Sequence, residues 1–336
     1  MMHRATLTAV AVLCVIAASL AAVRVDAQYD AHTSTGGVYY VKPVYCNHEK
    51  LRTWTCGPAC DYHPGVTNIT VINHDLSDSL CYVAYNPADN VIVVSCRGSS
   101  NILNWIEDFD FILVPFPANC SGCKVHQGFY YSYLAMRERI LAAVTNLGAE
   151  YPNANIFVTG HSLGASQAVF ALYDVLLYVP TTGWKRMYNY GQPRVGDPKF
   201  AAFIDLVAFP QHAHYRLTHD MDPVPHLPPT FAGYLHSPRE VWYKQGINAL
   251  GFKVCNDTAY AEDPTCSDSV LPIDPTDHEW YMGINMGCGD SNKSDLPSDW
   301  LKQPRRGDRQ RETAQERRER NRRMAEGWLS QAGIQI

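Results

Sequence analysis

The 336-residue sequence contains no internal repeat and, after its first two dozen residues, no apolar run long enough to cross a bilayer. A solenoid and a multi-span membrane protein are therefore not expected. It also contains no H-E-x-x-H motif: His278-Glu279 continues as Trp280-Tyr281-Met282, and His212-Ala-His214 reads as surface rather than as a ligand pair. No metal mechanism and no cofactor are expected. Charge is sparse, at 18% of residues against 46% hydrophobic, which gives enough apolar material for one large α/β domain or two small ones.

The one long apolar run stands at the start. Met1-Met2-His3-Arg4 precedes Ala5 to Val23, followed by Val25-Asp26-Ala27, the charged, apolar and small-residue regions of a signal peptide with cleavage after Ala27. The competing reading is an uncleaved anchor, for which this alanine-rich run is marginal in length. The mature chain is thus expected to be soluble and extracellular. Cysteine usage fits that compartment, because setting aside Cys14 in the signal leaves ten, an even number suited to an oxidising exterior. Cys120-Ser-Gly-Cys123 and Cys56-Gly-Pro-Ala-Cys60 are favoured as local pairs. Residues 80–85 and 91–96 look like hairpin arms turning at residues 86–90, and a symmetric register sets Cys81 opposite Cys96, where we expect a cross-strand disulfide. Sequons at Asn68, Asn256 and Asn292 are expected on a glycosylated surface, whereas Asn119 precedes the paired Cys120 and is less suited.

The stretch from Asn155 to Tyr173 reads as a nucleophile elbow. A buried strand, Ile156-Phe157-Val158, runs through Gly160-His161-Ser162-Leu163-Gly164 into a helix with apolar residues at 169, 172, 173 and 176. The glycines remove side chains that would collide as the chain reverses around Ser162. The serine oxygen is left at a helix N-terminus, where the amide of Leu163 has no intrahelical acceptor and favours negative charge.

Residues 28 to about 65 carry Cys46, Cys56, Cys60 and several prolines and read as an irregular covering segment. Strands begin after Val66. The β-branched run Val91-Ile-Val-Val-Ser95 predicts a strand covered on both faces, ending in Arg97-Gly98-Ser99-Ser100. Residues 101–111 then alternate Ile102, Leu103, Trp105, Ile106 and Phe109 with Asn104, Glu107 and Asp108, the pattern of a short amphipathic lid with its apolar face over a greasy site. A helix is predicted over residues 127–149, a strand around 188–190, a helix over 199–208, and a strand over 214–218 leading into a proline-rich loop. Strand and helix in alternation give a doubly covered sheet with its site beyond the strands' carboxyl ends. Asp220, Asp222, His226, His236 and His278 all follow Ser162, so the serine, acid, histidine order that such a fold requires is available.

These motifs carry a resemblance. Cys96-Arg-Gly-Ser-Ser100 with Asn104-Trp105, Cys120-Ser-Gly-Cys123, Val125-His-Gln-Gly-Phe129, Gly160 to Gly164, Tyr190-Gly-Gln-Pro-Arg-Val-Gly196, Asp222-Pro-Val-Pro-His-Leu-Pro-Pro229 and His278-Glu-Trp-Tyr281 occur in an order that is similar to the class 3 (fungal-type) triacylglycerol lipases over most of residues 46–288. The resemblance implies an α/β-hydrolase fold: a mostly parallel central sheet, helices on both faces and a short helical lid. It implies Ser162 as nucleophile, His278 as base and Asp222 as its acid, with Asp220 and His236 as the rivals set aside. It implies an oxyanion hole at Leu163 and Ser99, and a lid of Ile102, Leu103, Trp105 and Ile106. It further implies pairs Cys120 with Cys123, Cys56 with Cys60 and Cys46 with Cys288, leaving Cys255 and Cys266 as another. These last two lie in residues 246–276, where the sequence departs from the family and an elaborated loop is expected, either shaping access or decorating the surface.

The expected organisation is a signal peptide over residues 1–27, a hydrolase domain over 28–300 and a basic, mobile tail over 301–336. The tail holds Lys302 and nine arginines against five carboxylates, for a charge of +5, while residues 1–300 carry −10. It suits contact with anionic lipid. An apolar lid favours acylglycerols at a lipid–water interface, ahead of a phospholipase A1 or a feruloyl-type esterase; an inactive lipid- or receptor-binding relative is the reading from a different class. No nucleic-acid partner is expected.

Overall fold

In the computed structural model, alternate side chains along the central strands enter two different cores. Ile92, Val94 and Cys96 share one cluster with Ile156 and Val158, while Val91, Val93 and Phe157 belong to the other. A period of two with both faces buried is what the uninterrupted β-branched runs require. The structure describes residues 29–99, 110–117, 119–209, 214–244, 251–272 and 274–289. The expected signal peptide, the lid residues Ile102, Leu103, Trp105 and Ile106, the sequon at Asn292 and the basic tail lie outside these.

The elements are helices α1 (Ala31–Val41), α2 (His48–Arg52) and α3 (Pro58–Asp61); strands β1 (Thr67–His74), β2 (Ser79–Asn86), β3 (Val91–Cys96), β4 (Leu113–Pro115) and β5 (Lys124–His126); helix α4 (Gln127–Glu150), strand β6 (Asn155–His161), helix α5 (Leu163–Tyr178), strand β7 (Lys185–Tyr190), helix α6 (Pro198–Phe203), strands β8 (His214–His219), β9 (Glu240–Tyr243) and β10 (Phe252–Val254), helix α7 (Pro275–His278), and the short strands β11 (Trp280–Tyr281) and β12 (Ile284–Asn285). The main sheet runs β1-β2-β3-β6-β7-β8-β9-β10. Its four central pairings, from β3 to β9, are parallel, and antiparallel strands close both edges. This is the doubly covered α/β sheet expected from the strand and helix alternation.

Helix α4 lays Met136, Ile140, Val144 and Leu147 against one face, spaced by three and four residues, as a helix that buries a single stripe must be. Each such side chain stabilises the fold by about 1.5–3 kcal/mol through the water it excludes. Helix α5 is buried along almost its whole length, which accounts for its small Ala165, Ser166 and Ala168. The predicted helix over 199–208 keeps α-geometry only to Phe203 and continues as a wider π turn, Ile204–Ala208.

The opposite face corrects one expectation. The segment 28–65, read as irregular, is largely helical over its described residues 29–65 and fills the second core through Val38, Tyr40, Val41, Val44 and Leu51. Thr33, Thr35, Gly36 and Gly37 give α1 a poor intrinsic propensity, and packing overrides it. Asp30 caps the helix by accepting from the amides of His32 and Thr33, and a Cβ at Gly37 would collide with the Tyr190 hydroxyl and the Phe157 ring. Such contacts are invisible to a local reading.

Five disulfides are present: Cys46–Cys288, Cys56–Cys60, Cys81–Cys96, Cys120–Cys123 and Cys255–Cys266. Cys81 and Cys96 stand directly opposite in the β2–β3 register. The segment expected as an elaborated loop contributes β10 to the edge of the sheet. Its carboxylates answer two buried arginines: Glu262 pairs with Arg194 and Asp257 with Arg216 at 2.8 Å. The segment is thus anchored to the fold through these two pairs, with Tyr260 and Val254 on its exposed side.

Candidate active site

Ser162 sits at the carboxyl end of β6 with φ 58° and ψ −131°, a backbone conformation that a residue with a side chain seldom adopts. The turn is tight enough that a Cβ on Gly160 would strike the Gly164 carbonyl, and one on Gly164 would strike that of Cys96. Ser162 is pinned from the next strand, its amide donating to the Tyr190 carbonyl at 3.0 Å. Although it occupies the N-cap of α5, its hydroxyl makes no capping bond. Leu163 is the first residue of α5, so its amide has no acceptor within the helix. The end of β3 passes close by, since a Cβ on Gly98 would lie 3.0 Å from Ser162 Oγ. Ser99 follows directly.

Asp222 and His278 reach the same place from separate loops. After β8 the chain turns with the Asp222 amide donating to the His219 carbonyl at 2.9 Å, and Asp222 Oδ1 accepts from the Val224 amide at 2.8 Å. His278 ends the four-residue helix α7, whose N-cap Asp274 accepts from the Thr276 amide. Two further bonds join the loops: the Asp274 amide donates to the Met221 carbonyl at 3.1 Å, and the Met221 amide to Asp277 Oδ2 at 3.0 Å. Thus held, His278 Nδ1–H donates to Asp222 Oδ2 at 2.9 Å, and the Tyr281 hydroxyl donates to the same oxygen at 2.7 Å. Gly191, with φ +57°, makes room, because a Cβ there would lie 2.6 Å from the His278 ring.

The electrostatics follow from that contact. Burial opposes charge on both partners, yet each outweighs it for the other. Asp222 is lowered by His278, by the Tyr281 hydroxyl and by the Val224 amide, and His278 is raised by the Asp222 carboxylate. Ser162, Asp222 and His278 are 1%, 2% and 0% exposed, so the site is closed to solvent in this conformation. Within it, Ser162 Oγ and His278 Nε2 have no hydrogen-bond partner among the described residues. Other buried side chains, Ser95 and Ser166 among them, also have such atoms, but these are the two between which a serine-to-histidine proton transfer would run.

A sequence model of the Lipase (class 3) family matches residues 93–232. The chain is 36% identical to a lipase of Rhizomucor miehei over 240 residues, covering 70% of this chain and 63% of that one. It is 32% identical to a secreted mono- and diacylglycerol lipase A of Penicillium camembertii, covering 65% of this chain and 72% of the relative. The solved triacylglyceride lipase of Rhizomucor miehei superposes with a TM-score of 0.69 at 31% identity, over 78% of this chain and 98% of that one. This chain belongs to the class 3 lipase family. The match spans only 63% and 58% of the full length of the Rhizomucor miehei and Rhizopus niveus lipases. A fungal lipase–inhibitor complex has the same fold, with a TM-score of 0.66 at 30% identity.

Among class 3 lipase motifs read from the sequence, the structure pairs Asp222 with His278 and packs the His278 ring, at 4.3 Å between centroids, on that of His161, the residue before Ser162; the two rivals have other partners. Asp220 lies at the end of β8, its amide donating to the Tyr243 carbonyl at 2.7 Å, while His278 Nδ1 is taken by Asp222. His236 is buried and donates from Nε2 to the Pro225 carbonyl at 2.7 Å, fastening the loop downstream of Asp222. Arg194 fastens it again, donating to the His226 carbonyl at 2.6 Å while paired with Glu262. Burial disfavours the Glu262 carboxylate, but Arg194 outweighs this and holds it well below the usual range. Three residues had no role in the sequence reading: Tyr281, Tyr45 and His161. Tyr281 and His161 each had a signal, Tyr281 standing three residues after His278 and His161 directly before Ser162 in the elbow, whereas Tyr45 had none. Among the described residues the one grouping with metal-ligand chemistry is Glu240 with Cys255 and Cys266, and those sulfurs are bonded to each other.

Proposed function

We propose that the protein is a secreted serine esterase that hydrolyses acylglycerol ester bonds through an acyl-enzyme intermediate. The observation that carries this reading is the 2.9 Å Asp222–His278 pair behind two buried, unpartnered atoms, Ser162 Oγ and His278 Nε2. Ser162 Oγ attacks the ester carbonyl as His278 Nε2 takes its proton, and Asp222 holds the imidazole with its proton on Nδ1 and stabilises the imidazolium. The amides of Leu163 and Ser99, with the Ser99 hydroxyl, receive the charge on the carbonyl oxygen, each such donor contributing about 2.7–4 kcal/mol. His278 then protonates the departing alcohol. Water attacks the acyl-serine by the same route, releasing the fatty acid and restoring Ser162.

Supporting an acylglycerol substrate are the relatives, a lipase of Rhizomucor miehei and a secreted mono- and diacylglycerol lipase A, together with the apolar lid sequence at Ile102, Leu103, Trp105 and Ile106. A site only 1% exposed at its serine needs its cover displaced, and a lid that exchanges water for a lipid interface does so favourably. Secretion is supported by the N-terminal signal pattern and the five disulfides. The tail after residue 300 adds +5 of charge for contact with anionic lipid.

The test is hydrolysis by purified protein of emulsified triolein, dissolved short esters, phosphatidylcholine and a feruloyl ester, wild type beside Ser162→Ala. Wild type should be fastest on the emulsion, and Ser162→Ala should lose about 10⁶-fold in kcat. Equal rates in the two proteins would retire the reading, and a preference for phosphatidylcholine or the feruloyl ester would reassign the substrate.

A further inference from the structure

The residue before the nucleophile is a buried histidine bonded at both ring nitrogens. His161 Nε2 is 2.8 Å from the backbone carbonyl of His278, and His161 Nδ1 is 2.6 Å from the Tyr45 hydroxyl. Tyr45 Oη lies, in turn, 2.9 Å from the amide of Gly98, the residue before Ser99. Four separated pieces of chain therefore meet in one line: the end of β6, the turn carrying the base, the N-terminal segment and the end of β3.

The direction of every bond in the line is fixed by chemistry. A carbonyl oxygen only accepts, so His161 Nε2 carries the proton. Burial disfavours the charged ring and His278 beside it adds to this, holding His161 well below the ordinary histidine value and hence neutral. Nδ1 is then bare and accepts, so the Tyr45 O–H must donate to it. The Tyr45 oxygen keeps a lone pair for the Gly98 N–H, which cannot accept. One proton assignment satisfies all three contacts.

We propose that Tyr45 and His161 are positioning residues that tie the loop carrying the oxyanion donor Ser99 to the loop carrying the base His278. The role rests on the hydrolase reading above, in which the oxyanion donors and the base must be held on the same reacting carbonyl. Neither side chain is needed to touch substrate. Misplacing one such loop by a fraction of an ångström weakens transition-state contacts while leaving acyl-chain binding alone. The same N-terminal segment is locked to the base side at two other points. Cys46 is bonded to Cys288, and the Lys42 ammonium donates to the carbonyls of Asn285, Gly287 and Gly289 at 2.7, 2.8 and 3.2 Å. Tyr45 lies between them and extends this brace across to β3.

The experiment uses the full chain with Tyr45→Phe, His161→Gln and the double variant, beside wild type and Ser162→Ala. His161→Gln keeps an N–H for the His278 carbonyl and removes the ring nitrogen placed to accept from Tyr45. On a dissolved short ester, Tyr45→Phe should lower kcat about tenfold with KM within about twofold. The rate of inactivation by an alkyl phosphonate, which places an oxygen in the oxyanion hole, should fall in parallel, with one phosphonate still bound per chain. The double variant should lose much less than the product of the two single losses, because both cut the same line. Unchanged kcat in Tyr45→Phe, or multiplicative losses that follow the melting temperature, would overturn the proposal. A readout without turnover keeps it separate from the hydrolase reading. ¹⁵N-histidine NMR of wild type should show His161 neutral with its proton on Nε2 from pH 5 to 8, and Tyr45→Phe should shift its Nδ1 resonance. A proton on Nδ1, or titration near 6.5, would refute the relay even if Ser162→Ala proved as active as wild type.

Discussion

Ser162 and His278 stand in one site but are held by different kinds of structure. Ser162 directly follows β6, which is paired in parallel along its length to β3 on one side and β7 on the other, so backbone hydrogen bonds of the sheet, its own amide to the Tyr190 carbonyl included, fix it. His278 ends a helix of four residues followed by two strands of two residues each. Its position is set by side chains and cross-links: Asp222, the His161 ring under its carbonyl, three carbonyls on Lys42, and Cys46–Cys288. Sheet hydrogen bonds are lost only when the domain unfolds. A side-chain brace gives way locally, so the base side is where the site should open first.

The widest separation between the two sides is expected on removing the covalent brace. Cys46→Ser with Cys288→Ser deletes a link between residues 242 apart and should cost about 2–5 kcal/mol of stability. Hydrogen exchange should rise first in residues 275–288 and leave β6 protected. Equal loss of protection in β6 and in the 275–288 turn would show that the two sides unfold as one unit, with no difference in how they are held.

That contrast also explains how much was legible in the sequence. The elbow is local: Gly160 and Gly164 are required within five residues of each other by contacts the turn makes with itself and with β3, and the strand run beside them shows its burial in its own letters. Ser162 could be proposed from the elbow itself, whereas Asp222 and His278 were singled out only because their motifs resemble those of a known family. The brace is non-local. Lys42 finds its carbonyls more than 240 residues away, and Tyr45 meets His161 across 116. Nothing in the Thr- and Gly-rich sequence of α1 announces a helix, because its stability comes from the core it covers. Glu262 and Asp257 looked like loop charge until the buried Arg194 and Arg216 they answer were in view.

A smaller effect, specific to the base side, comes from the residue preceding His278. Burial, with Asp274 and Asp220 nearby, outweighs the pull of His219 and pushes Asp277 up to about 7. A carboxyl raised in the folded state contributes its stability in full below its unfolded value and loses it as pH rises through the folded value. Wild type should therefore carry a penalty above pH 7 that Asp277→Asn relieves, with the acceptor for the Met221 amide retained. The variant should melt about 2–4 °C higher than wild type at pH 8 and gain less at pH 5. A gain that is constant with pH would mean that packing, not ionisation, is responsible.

The smallest expected change tests whether the brace tunes the chemistry as well as holding it. Tyr281→Phe removes one donor from Asp222 Oδ2 while leaving the His278 bond and the sheet side untouched. Loss of that donor raises Asp222, and a carboxylate less satisfied elsewhere pulls harder on the imidazolium, so His278 should rise further above its ordinary value. Only the neutral imidazole accepts the Ser162 proton, so the acid limb of kcat/KM, already above about 6.5 in wild type because His278 is raised, should move to higher pH. At pH 8 the variant should be only a few-fold slower, in keeping with the roughly 1.5–3 kcal/mol of a hydrogen bond to a charged group shared between ground and transition states. A limb that moves to lower pH would mean that the Tyr281 hydroxyl acts through the placement of Asp222 and not through its charge.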